Sequence, residues 1–245
     1  MLFEQYLKIV EERIARARET QKDKIASAGQ AIADSVAEGG TVYAFGCGHS
    51  ALLAQEITYR AGGFMLVNPI FAPGTLLDER PVTITSQIER LSGLAESVAQ
   101  ASGMKAGDVL LLISTSGRNA LPVEMGLAAK ERGVRVIALI SAAYSAAVSS
   151  RHPSGKKVAD IADIVLDNHA DAGDAVLEME GLPEKIGPVS GAIGAAMVHA
   201  VIIHAISVLI EKGIEPPVFL SGNLPGGDEH NERLLAQYRD RIHYL

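Results

Sequence analysis

The chain has 245 residues, of which 48% are hydrophobic and 4% aromatic, and its formal net charge is −7 at pH 7. This length allows one α/β domain burying roughly three-quarters of its unfolded surface, and the negative charge argues against a nucleic-acid partner, which needs clustered Lys and Arg. The single cysteine and the early charge in Met1-Leu-Phe-Glu-Gln5 argue against internal disulfides and a secretory signal, so we expect one cytoplasmic domain over residues 1–245.

The first 38 residues are predicted to form an N-terminal helical segment ahead of any strand. Apolar residues recur every three or four positions along residues 2–20, a spacing that places them on one helix face. They are Phe3, Leu7, Val10, Ile14 and Ala17. A second helix is predicted from Lys22 to Ala37. The apolar face could pack on the same subunit or on a partner, and the sequence leaves both open.

A glycine-rich turn follows the first predicted strand, Thr41–Phe45. The turn is Gly46-Cys47-Gly48-His49-Ser50, and a helix is predicted from Ala51 to Arg60. It begins like the dinucleotide fingerprint, but Ala51 stands where the third glycine belongs and Asn68 stands where an acid would hold the ribose. We therefore expect no nicotinamide or flavin cofactor. Cys47 could be a thiol nucleophile, although a small residue in a tight turn is the simpler interpretation.

The central strand is predicted at Val109–Ile113, because a run without polar alternation must be covered on both faces. A strand at Phe64–Asn68, a loop over residues 69–81 and a helix from Ile84 to Ser102 precede it. After it come Ser114, Thr115, Ser116, Gly117, Arg118 and Asn119, and then a helix to about Arg132. Hydroxyls and free amides at a helix N-terminus can surround an anion, which predicts a phosphate site. The alternative is that Ser116 or Asn119 only caps the helix.

Two further strands are predicted at Arg135–Ser141 and Asp163–Asp167. Strands that alternate with helices imply an α/β fold with three layers, a doubly wound five-stranded parallel sheet. Between these strands, residues 149–157 group Arg151, His152, Lys156 and Lys157, which could form a basic rim for anions. A solvated loop is the favoured interpretation of that cluster.

Residues 168–187 are acidic, long and without clear periodicity, so we expect a functional or disordered loop. The pattern of a calcium loop is missing there. Gly191–Ile210 carries no formal charge over a length that could cross a membrane. Because it contains His199, His204 and Ser207 in an otherwise α/β chain, we predict a helix buried in a soluble core or subunit interface. Residues 214–245 form a C-terminal extension with a last helix from Asp228 to about Arg241.

The two turns in this order resemble the SIS, or sugar isomerase, domain, a phosphosugar-binding α/β fold. The resemblance covers nearly the whole chain and is strongest to a bacterial branch with Tyr-Arg-Ala-Gly-Gly, here residues 59–63, and Gly-Gly-Asp-Glu-His-Asn, here residues 226–231. It implies that Ser50, Ser114, Ser116 and Asn119 contact the phosphate of a phosphorylated sugar. The other implied binding residues are Gly46, Gly48, His49, Thr115 and Gly117.

A narrower resemblance is to the sedoheptulose-7-phosphate isomerases. It rests on Glu56-Ile-Thr-Tyr-Arg60 and on His199 and His204 in the last long helix. It implies that Glu56 moves a proton between the first two sugar carbons and that His204 acts as the acid/base at the oxygens. Leu52 and Ala196 stand where zinc-binding members carry histidine and glutamine, so no metal is predicted.

Structural alternatives remain for these residues. Glu56 could only pair with Arg60 at i,i+4, and each histidine could be a hydrogen-bonded core residue. The predicted function is isomerisation of a sugar phosphate through an enediol, by a homodimer or homotetramer without a membrane or nucleic-acid partner. The alternatives are a non-catalytic phosphosugar sensor and other chemistry at C2 or C3, such as amino-sugar or ether chemistry.

Overall fold

The computed structural model describes residues 1–245. Its strands are β1 (Val42–Gly46), β2 (Val67–Ile70), β3 (Val109–Ile113), β4 (Arg135–Ile140), β5 (Ile164–Asp167), β6 (Ala175–Met179) and β7 (Leu182–Pro188). Its helices are α1 (Leu2–Thr20), α2 (Lys22–Ala37), α3 (His49–Glu56), α4 (Ile84–Ile88), α5 (Leu94–Ser102), α6 (Ala120–Glu131), α7 (Ala142–Ala147), α8 (Ser190–Glu211) and α9 (Gly227–Gln237). The first five strands form an all-parallel sheet in the order β2-β1-β3-β4-β5, which confirms the predicted α/β fold.

Two hydrophobic cores cover the two faces of the sheet. In β3, Val109, Leu111 and Ile113 belong to the core shared with α1, α2, α3 and α8, whereas Leu110 and Leu112 belong to the core shared with α5 and α6. Successive side chains of a strand point to opposite faces, so a strand covered on both sides has no polar alternation. The apolar run at residues 109–113 is thus the middle of three layers.

The sheet changes its winding direction between β1 and β3. The chain passes from β1 outward to β2 and then returns to the other side of β1 to form β3. At the carboxyl ends of these neighbouring strands, Gly46 is paired with Ile113. Open α/β sheets bind ligands at such a switch point, and here both predicted loops begin there.

Several element boundaries differ from the sequence prediction. The helix predicted from Ile84 to Ser102 is broken into α4 and α5, with Gly93 in the left-handed region at φ 93°. Helix α3 ends at Glu56 instead of continuing to Arg60. Strand β2 lies at residues 67–70 instead of 64–68, and it includes Pro69. An edge strand tolerates proline because the missing N–H can face outward from the ladder.

The acidic segment was predicted to be a loop, and this prediction is wrong. The strands β6 and β7 pair as an antiparallel hairpin beside α1, where the Tyr6 hydroxyl donates to the Pro188 carbonyl at 2.7 Å. Asp171 is paired with Arg13 at 2.8 Å, and Asp174 accepts from the Ser190 amide at 2.8 Å at the start of α8. The acids therefore hold elements together. Poor alternation and a register shift obscured the strands in the sequence.

Helix α8 packs in the core against α2 and α3, as predicted for the uncharged run. It is the one helix long and apolar enough to cross a bilayer by length and composition, and half of its most apolar window is buried within the protein. Its outer face exposes Ile203 and Ile210. The C-terminal extension contributes Phe219, Leu234 and Ile242 to the same core, although α9 ends at residue 237 instead of 241.

Candidate functional site

A cavity of about 440 Å³ lies where the turns after β1 and β3 meet. Seven of the predicted binding residues line it: Gly48, His49, Ser50, Ser114, Thr115, Ser116 and Asn119. The remaining lining residues are Cys47, Leu77, Val82, Thr83, Thr85, Ser86, Glu89 and Tyr144. The fold thus brings together two loops that are more than sixty residues apart in the sequence.

The side-chain hydroxyl groups of the two turns have no partners within the protein. Ser50 and residues 114–116 contribute side-chain oxygens, and none of these oxygens makes a hydrogen bond to another protein group. The backbone of the loop is nevertheless fixed, because the Ser114 amide donates to Leu139 at 3.0 Å and the Ser141 amide donates to Thr115 at 2.8 Å. Fixed loops with unpaired hydroxyls offer a ready set of donors to an anion.

Asn119 occupies the N-cap position of α6, but its side chain makes no capping hydrogen bond. Its Oδ1 instead accepts from Nη1 of Arg151 at 2.8 Å. The capping function considered for Asn119 therefore does not describe its side chain. Helix α6 begins directly behind the loop, so the positive end of its dipole adds partial positive charge to this end of the cavity.

The glycines of the two turns shape the loops around the cavity. A Cβ on Gly46 would lie 2.6 Å from the carbonyl carbon and oxygen of Ser50, so β1 and α3 can approach only without a side chain. Gly48 has φ 56° and donates its amide to the Thr75 carbonyl at 2.8 Å. Gly117 lies behind the loop, next to Val158. Gly46 and Gly117 are thus structural neighbours of the cavity and do not line it.

Part of the basic cluster is held against the rim of this cavity. The Arg151 amide donates to the Arg118 carbonyl at 2.8 Å, while the Arg151 guanidinium reaches Asn119. Burial lowers the pKa of Arg151, and the positive charges of Arg118 and Arg90 lower it further. Three guanidinium groups therefore lie within electrostatic range of one another, a concentration of charge that favours a bound anion.

Cys47 and Glu89 lie together in the cavity wall. Burial raises the pKa of the Cys47 thiol well above its usual value, and the nearby carboxylate of Glu89 raises it further. A thiol in this state is protonated at neutral pH and is a poor nucleophile. The simpler interpretation of Cys47 as a small residue in a tight turn fits this environment.

A family model described as a SIS domain matches residues 5–141, which is more than half of the chain. The chain belongs to the SIS domain family. It is also 41% identical over 242 residues to a UPF0309 protein of Oceanobacillus iheyensis, covering 99% of this chain and 98% of that one. A UPF0309 protein of Streptomyces coelicolor is 45% identical over 241 residues, with 98% and 96% covered. These relatives confirm the expected bacterial branch.

Solved structures share the fold of this SIS domain. Phosphoheptose isomerase GmhA from Neisseria gonorrhoeae superposes with a TM-score of 0.57 at 22% identity, covering 84% of this chain and 100% of that one. A phosphoheptose isomerase from Francisella tularensis gives 0.52 at 19%, with 83% and 95% covered. The NanR protein of Vibrio vulnificus, complexed with ManNAc-6P, gives 0.52 at 13%, with 99% and 70% covered.

Glu56 and His204 lie outside the cavity of this SIS domain. Glu56 is ion-paired with Arg60, and its Oε1 lies 3.3 Å from Nε2 of His199. His204 faces α2, where a Cβ on Gly29 would lie 2.8 Å from its ring. It lines a separate apolar groove of about 380 Å³ between α1, α2 and α8. Within a single chain, Glu56 therefore lies next to His199 and not next to His204. The catalytic pair of Glu56 and His204 that the resemblance implies stays a prediction.

Sequence reasoning missed Glu89 and Tyr144 of this SIS domain. Glu89 was placed within one long helix, whereas it ends α4 at the break before Gly93. Tyr144 lies on α7, which was not predicted, although Ser141 carries the cap signal and accepts from the Tyr144 amide at 3.0 Å. The chain has no group of three or more His, Cys, Asp or Glu side chains placed to share a metal ion.

Proposed function

We propose that this SIS domain binds a phosphorylated sugar between the carboxyl ends of β1 and β3 and isomerises it between aldose and ketose. The observation that carries the proposal is the set of unpaired hydroxyls at Ser50 and residues 114–116, which surround one cavity in front of α6. Hydroxyl and amide donors at a helix N-terminus match the oxygens of a phosphate group.

The charge distribution supports a small anionic ligand. The chain as a whole carries a formal charge of −7, whereas Arg151 contacts the lining residue Asn119, and Arg118 and Arg90 lie within electrostatic range of Arg151. A nucleic acid would need basic groups spread over a surface, while a single phosphate needs them at one point. The cavity volume of about 440 Å³ lies in the range of small-molecule sites.

Isomerisation requires proton transfer at the sugar carbons and oxygens that lie beside the phosphate site. Moving a carbonyl from C1 to C2 passes through an enediol, so one group must take a carbon-bound proton and others must serve the oxygens. Polar side chains of the cavity, among them His49, Glu89 and Tyr144, offer groups of the required types. Two proteins that share this fold are named phosphoheptose isomerases, which favours this reaction class for the present chain.

A non-catalytic phosphosugar sensor is the second candidate. It is favoured by the separation of Glu56 from His204 within one chain. The NanR protein, which shares the fold, was solved with ManNAc-6P bound, and one fold commonly serves both enzymes and regulators. The sensor and the isomerase share the phosphate site and differ only in whether carbon-bound hydrogen is exchanged.

We further propose that the protein forms a homodimer or homotetramer in the cytoplasm. Leu7 and Ile14 of α1 and Ile203 and Ile210 of α8 expose large apolar side chains. Apolar helix faces of this kind are usually covered by another chain. Light scattering at micromolar concentration tests the assembly, and a monomer would contradict it.

Thermal unfolding tests the binding site. Native protein, Ser116→Ala and the control Ser207→Ala are heated with fructose 6-phosphate, glucosamine 6-phosphate or sedoheptulose 7-phosphate, each beside its unphosphorylated sugar. A ligand at a hundred times its dissociation constant adds about 2.7 kcal/mol. For a chain of this size, this added stability raises Tm by roughly 5–10 °C. We expect a phosphate-dependent shift in the native protein and Ser207→Ala that is lost in Ser116→Ala.

Hydrogen exchange then tests catalysis. The sugar phosphate that shifts Tm is incubated with native protein in deuterated water, and deuterium at C1 and C2 is followed by NMR. An isomerase incorporates deuterium and interconverts aldose with ketose. Tight binding without either change would favour the sensor.

A further inference from the structure

The geometry points to Glu89 as the group that removes and returns the carbon-bound proton of the sugar phosphate. This inference rests on the proposed function, since it assigns a role within the same cavity. Glu89 lines the cavity together with Ser116 and Asn119, whereas Glu56, the base that the family resemblance implies, does not. The loop of residues 114–119, called the phosphate loop from here on, and this carboxylate are therefore available to one ligand.

The backbone of Glu89 is tied to the phosphate loop. Its carbonyl accepts from the amide of Leu121, in the first turn of α6, at 3.1 Å. Its own amide donates to the Thr85 carbonyl at 3.0 Å, at the end of α4. Because α6 begins directly after the phosphate loop, these two bonds hold the Glu89 backbone at a set position relative to that loop. A base must be positioned in this way before its proton affinity matters.

The carboxylate of Glu89 is half-buried, and no hydrogen bond or ion pair occupies it. Its charge acts on two neighbours, raising the pKa of Cys47 and opposing the lowering of the pKa of Arg151. A free carboxylate close to a phosphate site repels the phosphate group, so Glu89 does not hold that part of the ligand. An unpaired carboxylate at this place is instead suited to accept a proton.

The step conserves all atoms and electrons. The Glu89 carboxylate takes the proton from C2 of the aldose, the C–H electron pair forms a C1=C2 double bond, and the C1 carbonyl oxygen takes a proton from a donor such as the His49 imidazole. The resulting enediol releases the O2 proton to the same imidazole, C2 becomes the carbonyl carbon, and C1 takes its proton back from the Glu89 carboxylic acid. Glu89 and His49 end in their starting states.

The experiment compares Glu89→Gln with the native protein in the deuterium-exchange assay, using the sugar phosphate that raises Tm. We expect exchange at C1 and C2 to fall at least about 100-fold, the usual loss for a general base. The phosphate-dependent Tm shift should be retained or increased, since a negative charge near the phosphate is removed. Glu131→Gln, on the exposed end of α6, is the matched control for the substitution itself.

A second variant separates chemistry from folding. Glu89→Ala with added formate should recover part of the exchange, because a small carboxylate can replace the missing side chain. A residue that only holds α4 against α6 would show no such rescue. The absence of rescue, with the Tm shift intact, would count against the assignment.

Two outcomes overturn the proposal and are distinguishable. If native protein exchanges the sugar hydrogens and Glu89→Gln exchanges them within threefold, the isomerase stands and Glu89 is not its base. Loss of exchange in Glu56→Gln would then assign the proton to Glu56. If native protein exchanges no hydrogen on any of the three sugar phosphates, the isomerase itself fails, and the role of Glu89 fails with it.

Discussion

The carboxyl ends of β3 and β5 lie at the same edge of the sheet, yet their polar residues are used in opposite ways. After β3, the hydroxyls of residues 114–116 make no hydrogen bond within the protein and line a cavity. At the end of β5, Asp167 accepts from the amides of Ala142 and His169, each at 2.9 Å. The first set of polar groups is available to a ligand, whereas the second is already hydrogen-bonded within the protein.

His169 extends the second set. Its Nδ1 lies 2.9 Å from Oδ2 of Asp167, and its Nε2 lies 2.7 Å from the hydroxyl of Thr20 at the end of α1. These contacts connect the N-terminal helices to the sheet. A polar strand end therefore identifies a binding site only where its side chains lack internal partners. Mutations at the two strand ends should therefore separate folding stability from ligand binding.

The largest effect is expected for Gly46→Ala, which tests whether the cavity depends on close approach of β1 to α3. The new Cβ would lie 2.6 Å from backbone atoms of Ser50. We expect a loss of about 3 kcal/mol in the free energy of unfolding by urea, together with loss of the phosphate-dependent Tm shift. Gly191→Ala is the matched control, because its Cβ would meet no atom within 4 Å. Equal stability of the two variants would contradict the account.

Asp167→Ala should cost about 2 kcal/mol of unfolding free energy, because it leaves the amides of Ala142 and His169 without their acceptor. The phosphate-dependent Tm shift should remain. Urea unfolding with and without the sugar phosphate measures both quantities, and the exposed Asp240→Ala serves as the control. Loss of the ligand shift at unchanged stability would reverse the roles of the two strand ends.

Arg151→Ala should raise the dissociation constant of the sugar phosphate about tenfold, equivalent to about 1.4 kcal/mol. The reason is that its guanidinium contacts Asn119 at the rim of the cavity and supplies positive charge. Calorimetric titration checks the value, and Arg151→Lys should recover part of the affinity because it keeps the charge. An affinity unchanged by Arg151→Ala, at low salt, would show that the residue belongs to a solvated loop.

The smallest effect concerns the pH dependence of stability. Burial lowers the pKa of His169, so the unfolded chain binds more protons than the folded chain between that lowered pKa and the usual value of about 6.5. The free energy of unfolding should fall as the pH drops below about 6.5, by at most about 1.4 kcal/mol per pH unit. His169→Asn should flatten this slope, since asparagine tolerates the φ of 56° and does not titrate.

A slope unchanged in His169→Asn would assign the pH dependence to other groups. Phosphate binding should show no matching change in this variant, because the β5 end lies outside the cavity. Unfolding curves at pH 5, 6 and 7, with and without the sugar phosphate, provide both measurements.

The buried strands and the two turns could be predicted because their signals are local. The run Val109–Ile113 has no polar residue, and only a strand covered on both faces tolerates that composition. Glycines and hydroxyls directly after β1 and β3 mark the turns, and parallel strands place such turns at one edge. The hairpin of β6 and β7 could not be predicted from the sequence, because the segment itself shows little periodicity. Its two strands are held by each other and by contact with α1, which is distant in the sequence.

By itself, the sequence determined the α/β class, the order of the two loops and the types of donor groups they carry, because each depends on residues adjacent in the chain. Only the tertiary structure decided which side chains share the cavity. The break after α4 brings Glu89 beside the phosphate loop, and the rotation of α8 turns His199 toward Glu56 and His204 toward α2. Five residues turn a helix by roughly 140°, so which side chain meets which neighbour is set by packing between elements that are distant in sequence.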